Sequence, residues 1–498
     1  MLSRVLGFLR DILIAAALGA GPVADAFFVA FRIPNMFRRL VAEGAFSAAF
    51  VPMFSRRLEA DGQRAAQSFA EAALAVLLGG LLVFTLIAEI SMPWLMRVIA
   101  PGFLSDPDKF DLAVLFTRIT FPYLLFMALV ALFGGVLNAL YRFAAAAAAP
   151  LLLNFVLIAA VLGFADAGPT PGHALAWGVA LAGAGQFIWM AFACRRAGIA
   201  LRLPWPRLTA DVRRLLKLMV PAGLTAGVHQ INLLIGTIVA TLEGGAVSYL
   251  YYADRVSQLP LGVVGVAVGT ALLPMLSRSL RAGDEALAMD QQCRAIEVAL
   301  LLTLPAAAAL IVIHEPIIAV LFERGAFGAE AVAATGISLA AFALGLPAYV
   351  LVKVLAPGFF AREDMVTPLK VSIAAVAVNL LLIAALFPTL GFVGIALATA
   401  GSSALQAALL WRWLARHGRL VMDDRLRRRL PRMVLASAVM AAGLWLAAGA
   451  LEAPLAGALP WRIAALTALV IGGMVVFALA AQAFGAARLG ELRQMLGR

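Results

Sequence analysis

Long apolar runs, separated by short polar or Pro/Gly-rich stretches, dominate the chain. A helix of about twenty apolar residues crosses the roughly 30 Å hydrocarbon core of a bilayer. Fourteen such spans fit between the interruptions, and we number them 1 to 14. They cover residues 3–20, 24–52, 69–90, 113–137, 148–165, 173–193, 216–242, 247–276, 295–313, 331–355, 368–387, 391–411, 432–451 and 462–485. The pattern predicts an all-α polytopic membrane protein, in which span 1 is itself the insertion signal.

Composition agrees with this pattern and excludes other classes. With 63% hydrophobic and 13% charged residues, the chain is too apolar and too poor in charge for a soluble globular protein. Two cysteines, Cys194 and Cys293, cannot form a disulfide framework and lack metal-ligand spacing. The sequence contains no nucleotide-binding loop, metal-ligand cluster or nucleophile motif. We therefore expect a transporter rather than an enzyme, without a metal or cofactor, driven by the membrane potential, a monovalent ion gradient or the substrate gradient.

The distribution of basic residues predicts the orientation in the membrane. Loops after even-numbered spans and the C-terminal tail hold most Lys and Arg, whereas loops after odd-numbered spans hold only Arg97, Lys109, Arg324 and Arg462. The positive-inside rule then places both termini in the cytoplasm. This asymmetry explains the net charge of +12 without a nucleic-acid partner. The basic run at 412–432 is expected to rest on anionic lipid headgroups.

A short motif recurs at an offset of about 220 residues. The run Pro52-Met-Phe-Ser-Arg56 reappears as Pro274-Met-Leu-Ser-Arg278, and the stretch after span 4 resembles the stretch after span 10. Six spans per repeat is an even number, so the two lobes would be parallel repeats, as in alternating-access transporters. We predict an N-lobe of spans 1–6 (residues 1–203), a C-lobe of spans 7–12 (204–416), and a basic linker with spans 13 and 14 (417–498).

Spans 1, 2 and 8 carry charge that does not fit an apolar helix. Six arginines and four acids lie there: Arg4, Arg10, Arg32, Arg38, Arg39 and Arg255, with Asp11, Asp25, Glu43 and Asp254. Intramembrane charges are costly, so one interpretation is a set of neutralising ion pairs that specify helix packing. The arginine surplus favours a hydrated cavity for an anion, because the guanidinium grips phosphate or carboxylate with two parallel hydrogen bonds.

Other polar residues within the spans have two interpretations. Pro34 and Asn35 are expected to interrupt span 2, which is tolerated where the backbone lines a cavity or a buried interface. Asn154 and Asn379 either cross-link helices or bind a cation. The residues alone leave these alternatives open.

Four stretches resemble the MurJ (MviN) family, the lipid II flippases of the multidrug/oligosaccharidyl-lipid/polysaccharide exporter superfamily. They read SRVLGFLRD, DAFFVAFRIPNMFRRLVAEGAFSAAFVP, YYADRVSQLPLGVVGVAVGTALLP and KVLAPGFFAREDMVTPLK. The resemblance implies an inner-membrane protein of peptidoglycan biosynthesis that moves lipid II from the inner to the outer leaflet. It implies contacts with membrane lipids and cell-wall synthesis machinery, and function as a monomer.

The resemblance also assigns roles to residues. The substrate diphosphate would be bound by Arg4, Arg10, Arg38 and Arg255. Further characteristic motif positions are Asp25, Arg32, Asn35, Arg39 and Glu43. Together with Asp11 and Asp254 from the charge pattern, we expect them to be cavity or gating positions. Two departures stand out. Only Met1 and Leu2 precede the SRVLG motif, which in the family usually follows a dozen residues; either the true start is farther upstream, or span 1 is short at its cytoplasmic end. In addition, Gln258 replaces a common acid.

Three alternatives remain at this stage. A flippase for another polyprenyl-diphosphate oligosaccharide would share the arginine cluster. A drug or cation antiporter of the same superfamily would expose an acid-rich cavity instead. A membrane glycosyltransferase would need a catalytic carboxylate in an outer loop, where Asp106, Asp108 and Asp111 are the candidates.

Overall fold

A computed structural model describes residues 2–39 and 46–486, and every regular element in this part of the chain is helical. A 3-10 helix, Pro101–Ser105, precedes α4. The α-helices are α1 Leu2–Leu18, α2 Pro22–Phe37, α3 Phe46–Ile99, α4 Pro107–Thr120, α5 Tyr123–Ala139, α6 Phe143–Phe164, α7 Pro171–Arg196, α8 Ala210–Ala240, α9 Ala246–Arg281, α10 Glu285–Val312, α11 His314–Phe322, α12 Ala329–Phe360, α13 Val366–Leu390, α14 Phe392–Arg416, α15 Asp424–Ala450, α16 Glu452–Ala456 and α17 Leu459–Ala483.

Ten helical stretches of the described chain are long and apolar enough to cross a membrane, with α4 and α5 counted as one stretch. This confirms an all-helical, multi-pass membrane protein. Helices α1, α2, α8 and α9 fall outside that set, and α1, α2 and α9 carry the predicted site charges. The count of fourteen spans stays a prediction.

Several helix starts follow from local capping. The side chain of Asp106 accepts a hydrogen bond from Lys109 N at 3.1 Å, and Asp284 and Asp423 do the same for Leu287 N and Leu426 N at 2.8 and 2.9 Å. Such side chains satisfy backbone donors that the first helical turn leaves without a partner. These caps fix where α4, α10 and α15 begin.

The structure differs from the predicted boundaries at spans 2 to 4. Residues 53–68, which we expected to form a loop, are helical, so α3 runs on from span 2 into span 3 with a kink at Gly62 (φ +80°). Their Arg, Ala, Glu and Gln residues favour helix despite their charge. Span 4 is divided at Phe121 and Pro122 into α4 and α5. Helix α2 continues through Pro34 and ends at Phe37, three residues beyond the predicted interruption.

Helix-ending turns recur at the offset of the sequence repeat. After α5, Tyr141 has φ +58° and the Arg142 N–H donates to the carbonyl five residues earlier at 2.9 Å. After α12, Glu363 has φ +61° and the Asp364 N–H makes the same bond at 3.1 Å. This is the Schellman arrangement, in which a left-handed residue lets a late N–H cap the helix. A positive φ is unusual for both side chains, so its recurrence 222 residues apart supports a repeat.

A second pair of turns recurs after α7 and α14. Gly198 (φ +87°) and Gly418 (φ +66°) each precede an N–H that reaches back five residues, at 3.0 and 2.9 Å. The two glycines lie 220 residues apart, close to the offset of the first pair. Glycine suits this position because it adopts a positive φ without a steric penalty from Cβ.

By internal contacts the described chain divides into two compact units. The first comprises the residues up to Ser248 together with Arg324–Phe327, and the second comprises Tyr249–Glu323 and the chain from Gly328 onward. Helix α8, which we assigned to the C-lobe, clusters with the first unit. The predicted lobe boundaries at 203/204 and 416/417 stay predictions.

A buried ionic cluster at Glu297 joins α10 to α15 in the second unit. Glu297 is 5% exposed and accepts from Arg294, Arg425 and Arg429. Arg294 also pairs with Asp423, the cap of α15. Two arginines of the basic run, Arg425 and Arg429, therefore neutralise a buried acid.

We expect Glu297→Gln to destabilise the protein by about 3–5 kcal/mol, because three arginines would lose the carboxylate that compensates their charge. The melting temperature of the detergent-purified protein measures this effect. Glu285→Gln on the same helix is the matched control, since the Glu285 side chain is 58% exposed and pairs with Arg362. Its loss should cost less than about 1 kcal/mol. Equal melting temperatures for the two variants would contradict a structural role for the Glu297 cluster.

Candidate functional site

Arg10 and Asp11 lie buried on α1 and bind each other and α6. Arg10 donates from Nε and from a terminal nitrogen to Asp11 Oδ1, at 3.0 and 2.6 Å. Its other terminal nitrogen donates to Asn154 Oδ1 at 3.0 Å, and the Asn154 amide donates to Ser3 O at 3.1 Å. Asn154 therefore cross-links α1 and α6, which is the first of its two predicted interpretations. Arg4 lies earlier on the same helix and is exposed.

Asp25 is completely buried near the start of α2 and receives four donors. Lys109 Nζ of α4 approaches Oδ2 at 2.7 Å, and Gly245 N donates to the same oxygen at 2.9 Å. Ser248 donates to Oδ1 from its backbone N at 3.0 Å and from its hydroxyl at 2.6 Å. The carboxylate thus holds α2, α4 and the turn into α9 together. We call Asp25, Lys109, Gly245 and Ser248 the Asp25 latch.

The latch places the partners of Asp25 outside span 2. Its carboxylate binds Lys109 and the turn before α9. Lys109 is itself buried, 7% exposed, with its ammonium 4.2 Å from the ring centre of Phe103. The signal in the sequence was a single lysine among Asp106, Asp108 and Asp111 in a loop where basic residues are rare.

The other charged residues of α2 face different partners. A terminal nitrogen of Arg32 donates to the Thr237 hydroxyl of α8. Arg38 lies just past the end of α2 and its Nε donates to Asn35 Oδ1 at 3.0 Å, which orients the guanidinium. Arg39 is exposed. Glu43 lies outside the described residues.

The α9 group lies in the second unit. Arg255 is half-buried, with its guanidinium carbon 4.8 Å from the Tyr251 ring centre and a terminal nitrogen 3.1 Å from the Tyr251 hydroxyl. Asp254 accepts a hydrogen bond from the Gln258 amide, one turn later. An acid at position 258 would instead place two carboxylates at i and i+4, which repel each other. The sequence departure at Gln258 therefore gives Asp254 a donor.

The predicted site residues divide between the two compact units. Arg4, Arg10 and Arg38 belong to the first unit, and Arg255 belongs to the second. Within the first unit, the structure joins Arg10 to Asp11, and Arg38 to Asn35. Sequence reasoning missed Lys109, Thr237 and Ser248 as partners, because each lies far along the chain from the charge that it contacts. Among the described residues no group of three His, Cys, Asp or Glu side chains could hold a metal ion.

Comparison with known proteins identifies relatives over nearly the whole chain. A family model described as "Lipid II flippase MurJ" matches residues 14–464. The "Probable lipid II flippase MurJ" of Rhizobium meliloti (strain 1021) is 48% identical, over 100% of this chain and 94% of its own length. The "Lipid II flippase MurJ" of Burkholderia cenocepacia is 38% identical, over 84% of this chain and 82% of its own length.

Solved structures agree on the fold. One described as "Lipid II flippase MurJ, inward closed conformation" superposes with a TM-score of 0.81 at 24% identity, covering 97% of each chain. An inward-facing multidrug resistance MATE transporter of the MOP superfamily superposes with a TM-score of 0.68 at 15% identity, over 83% of this chain and 94% of its own. At these identities the likeness shows a shared fold.

Proposed function

The chain belongs to the lipid II flippase MurJ family, and on that premise we propose that it moves lipid II from the inner to the outer leaflet of the bacterial inner membrane. A flippase is a transporter rather than an enzyme, so no covalent bond of the lipid changes. The family match over residues 14–464 carries this proposal. The charge that the first and ninth helices carry supports it, since a diphosphate needs cationic partners away from bulk water.

In this proposal the two homologous halves work by alternating access. The recurring turns after α5 and α12 support parallel repeats, which place substrate at a repeat interface. Arg38 and Arg255 would bind the diphosphate directly, with Arg4 nearby. Arg10 would bind phosphate after releasing Asp11. In the present arrangement its Nε and both terminal nitrogens donate to side-chain oxygens of Asp11 and Asn154. The termini would lie in the cytoplasm.

The Asp25 latch suits a gate at the membrane face opposite the termini. Four donors stabilise the buried Asp25 carboxylate while the latch is assembled. Once the latch is broken, the buried Lys109 has no carboxylate to compensate its charge. Such an element has two discrete states, as a gate requires. We propose that the latch holds one end of the transport path closed, and that Arg32, Arg39 and Glu43 exchange partners when it opens.

A translocation assay tests the proposed function. Purified protein in liposomes should make lipid II accessible to an externally added, membrane-impermeant enzyme, and empty liposomes should not. Varying the membrane potential and each monovalent cation gradient separately identifies the driving force. We propose that the driving force is either the membrane potential or a monovalent cation gradient. Equal translocation of a polyprenyl diphosphate with a different glycan would instead favour a broader substrate class. Absence of lipid II translocation under every gradient would contradict the proposal.

A further inference from the structure

The connection between α7 and α8 has no regular secondary structure and follows the side of α3. Gln63 and Gln67 of α3 donate to Gly198 O and Ala200 O, at 3.1 and 2.8 Å, and Glu71 accepts from Arg202 N at 2.9 Å. Helix positions 63, 67 and 71 thus pair with connection positions 198, 200 and 202. Side chains of α3 thus satisfy three backbone polar groups of this first part.

The connection then climbs toward the apolar part of α3. A methyl group on Gly79 would lie 3.6 Å from Pro206 Cγ. Gly79 lies eight residues beyond Glu71, about 12 Å along the helix at about 1.5 Å per residue. No charged residue occurs in α3 between Glu71 and Glu89. Pro206 therefore lies beside the charge-free stretch of α3, about 12 Å beyond Glu71.

Around Pro206 the chain exposes large apolar side chains. Leu203, Trp205 and Leu208 are 61%, 83% and 60% exposed, although they lie outside any membrane-crossing helix. Leu218 and Val220, in the first turns of α8, are exposed as well. Aromatic and aliphatic side chains of this kind are enriched where a protein meets the headgroup region of a bilayer.

The same segment has a strong excess of positive charge. Residues 202–220 contain five bases, all exposed, which are Arg202, Arg207, Arg213, Arg214 and Lys217. The single acid, Asp211, is held by Arg57 of α3 at 2.5 Å. The positive-inside rule explains the excess of arginine, but it does not explain an exposed tryptophan and four exposed leucines in the same segment. Together they match an anionic headgroup above and acyl chains below.

Proline makes this position compatible with a low-dielectric border. Pro204 and Pro206 flank Trp205, and neither has a backbone N–H that would need a partner. An irregular backbone with fewer orphan donors costs less to bring toward hydrocarbon. The sequence Leu-Pro-Trp-Pro-Arg-Leu thus combines apolar side chains with a backbone that has little to satisfy.

We propose that residues 202–220 form an interfacial anchor that binds anionic phospholipid headgroups of the adjacent leaflet, with Leu203, Trp205 and Leu208 at the boundary between headgroups and acyl chains. The predicted topology makes this the cytoplasmic leaflet. The anchor does not depend on which substrate is transported. Its occupant is lipid rather than a protein partner, since Pro206 lies beside Gly79 in the apolar stretch of α3.

Spin labelling of the full-length protein measures the depth of the anchor. With Cys194 and Cys293 replaced by Ala, a nitroxide is attached to Trp205→Cys in nanodiscs of phosphatidylcholine and phosphatidylglycerol. Ala282→Cys, in the exposed turn after α9, provides the aqueous control, and Leu381→Cys, 70% exposed on α13, provides the hydrocarbon control. We expect the collision ratio of oxygen to a water-soluble nickel chelate at 205 to lie between the two. A value equal to that at 282 would overturn the anchor.

Lipid selectivity tests the charged half of the proposal. A fluorophore attached to the Trp205→Cys variant should be quenched about twofold more by brominated phosphatidylglycerol than by brominated phosphatidylcholine at equal mole fraction and low salt, with the difference shrinking at about 0.5 M salt. Arg213→Glu/Arg214→Glu should abolish the preference and leave the depth at position 205 unchanged. An unchanged preference in that variant would overturn headgroup recognition by these arginines. The nanodiscs contain no protein besides this chain and the scaffold. If position 205 were in water there, the exposed apolar side chains would be assigned to a protein partner instead of lipid.

Discussion

Asp25→Asn is expected to speed hydrogen exchange at the Gly245 and Ser248 amides by about 100-fold or more. Both amides donate to the Asp25 carboxylate, and Lys109 would remain buried beside a neutral amide. Breaking a buried ion pair by removing one partner costs about 3–5 kcal/mol, and each 1.4 kcal/mol corresponds to a factor of about ten. Exchange measured by mass spectrometry on peptides covering 241–248 reports this opening directly.

A double-mutant cycle separates the latch from a general loss of stability. Lys109→Met keeps the apolar stem and removes the charge. It should therefore cost much less stability in the Asp25→Asn background than in the parent protein. Asp108→Asn is the matched control, because it removes one acid from the same exposed turn and Asp108 lies at the surface. Additive effects of the two latch substitutions, or unchanged exchange at Gly245 and Ser248, would show that no latch couples these residues.

Arg38→Ala and Arg255→Ala are each expected to reduce lipid II translocation by at least about 30-fold. Truncating one partner of a desolvated, hydrogen-bonded charge pair costs about 2–5 kcal/mol, and the substrate diphosphate would lose one of its cations. Arg38→Lys and Arg255→Lys should retain part of the activity, since an ammonium supplies charge without the planar fork. The liposome assay and the growth of cells depleted of their own flippase give two independent measurements.

Arg281→Ala serves as the control for the arginine variants, because Arg281 is exposed at the end of α9 and contacts its own helix at Ser277 O. Membrane levels and melting temperatures should match those of the parent for all five proteins. If both alanine variants sustained growth at normal expression, the arginines would not bind the diphosphate. Loss of stability together with activity would assign them to packing, and the lysine variants would then fail equally.

The sequence predicted the helical segments well and their ends poorly. Apolar runs locate spans because the bilayer demands about twenty such residues, but α3 extends far beyond its span through a charged stretch that helix propensity favours. The division at Phe121–Pro122 inside span 4 was equally invisible, since proline within a span is compatible with a kink or a break. Hydropathy constrains what crosses the membrane, and it says little about where a helix stops in water.

For the candidate site, charge on the helices was predictable and pairing was not. Arg10, Asp25 and Arg38 stand out because charge is rare in apolar sequence. Asp25 and Arg32 are seven residues apart and so share a helix face, yet contacts with Lys109 and Ser248, 84 and 223 residues away, fix the position of Asp25. Periodicity describes one helix at a time, whereas a buried carboxylate is satisfied by whichever donors the tertiary fold brings to it.

The Glu297 cluster also sets a delay during synthesis. Its partners Arg425 and Arg429 follow it by 128 and 132 residues, so ribosomes adding about 5–20 residues per second need about 6–26 s to supply them. During that interval α10 carries a carboxylate whose final partners on α15 do not yet exist, and Arg294 is the neighbour already made. Insertion of α15 is therefore the event that completes the charge balance of a helix threaded much earlier.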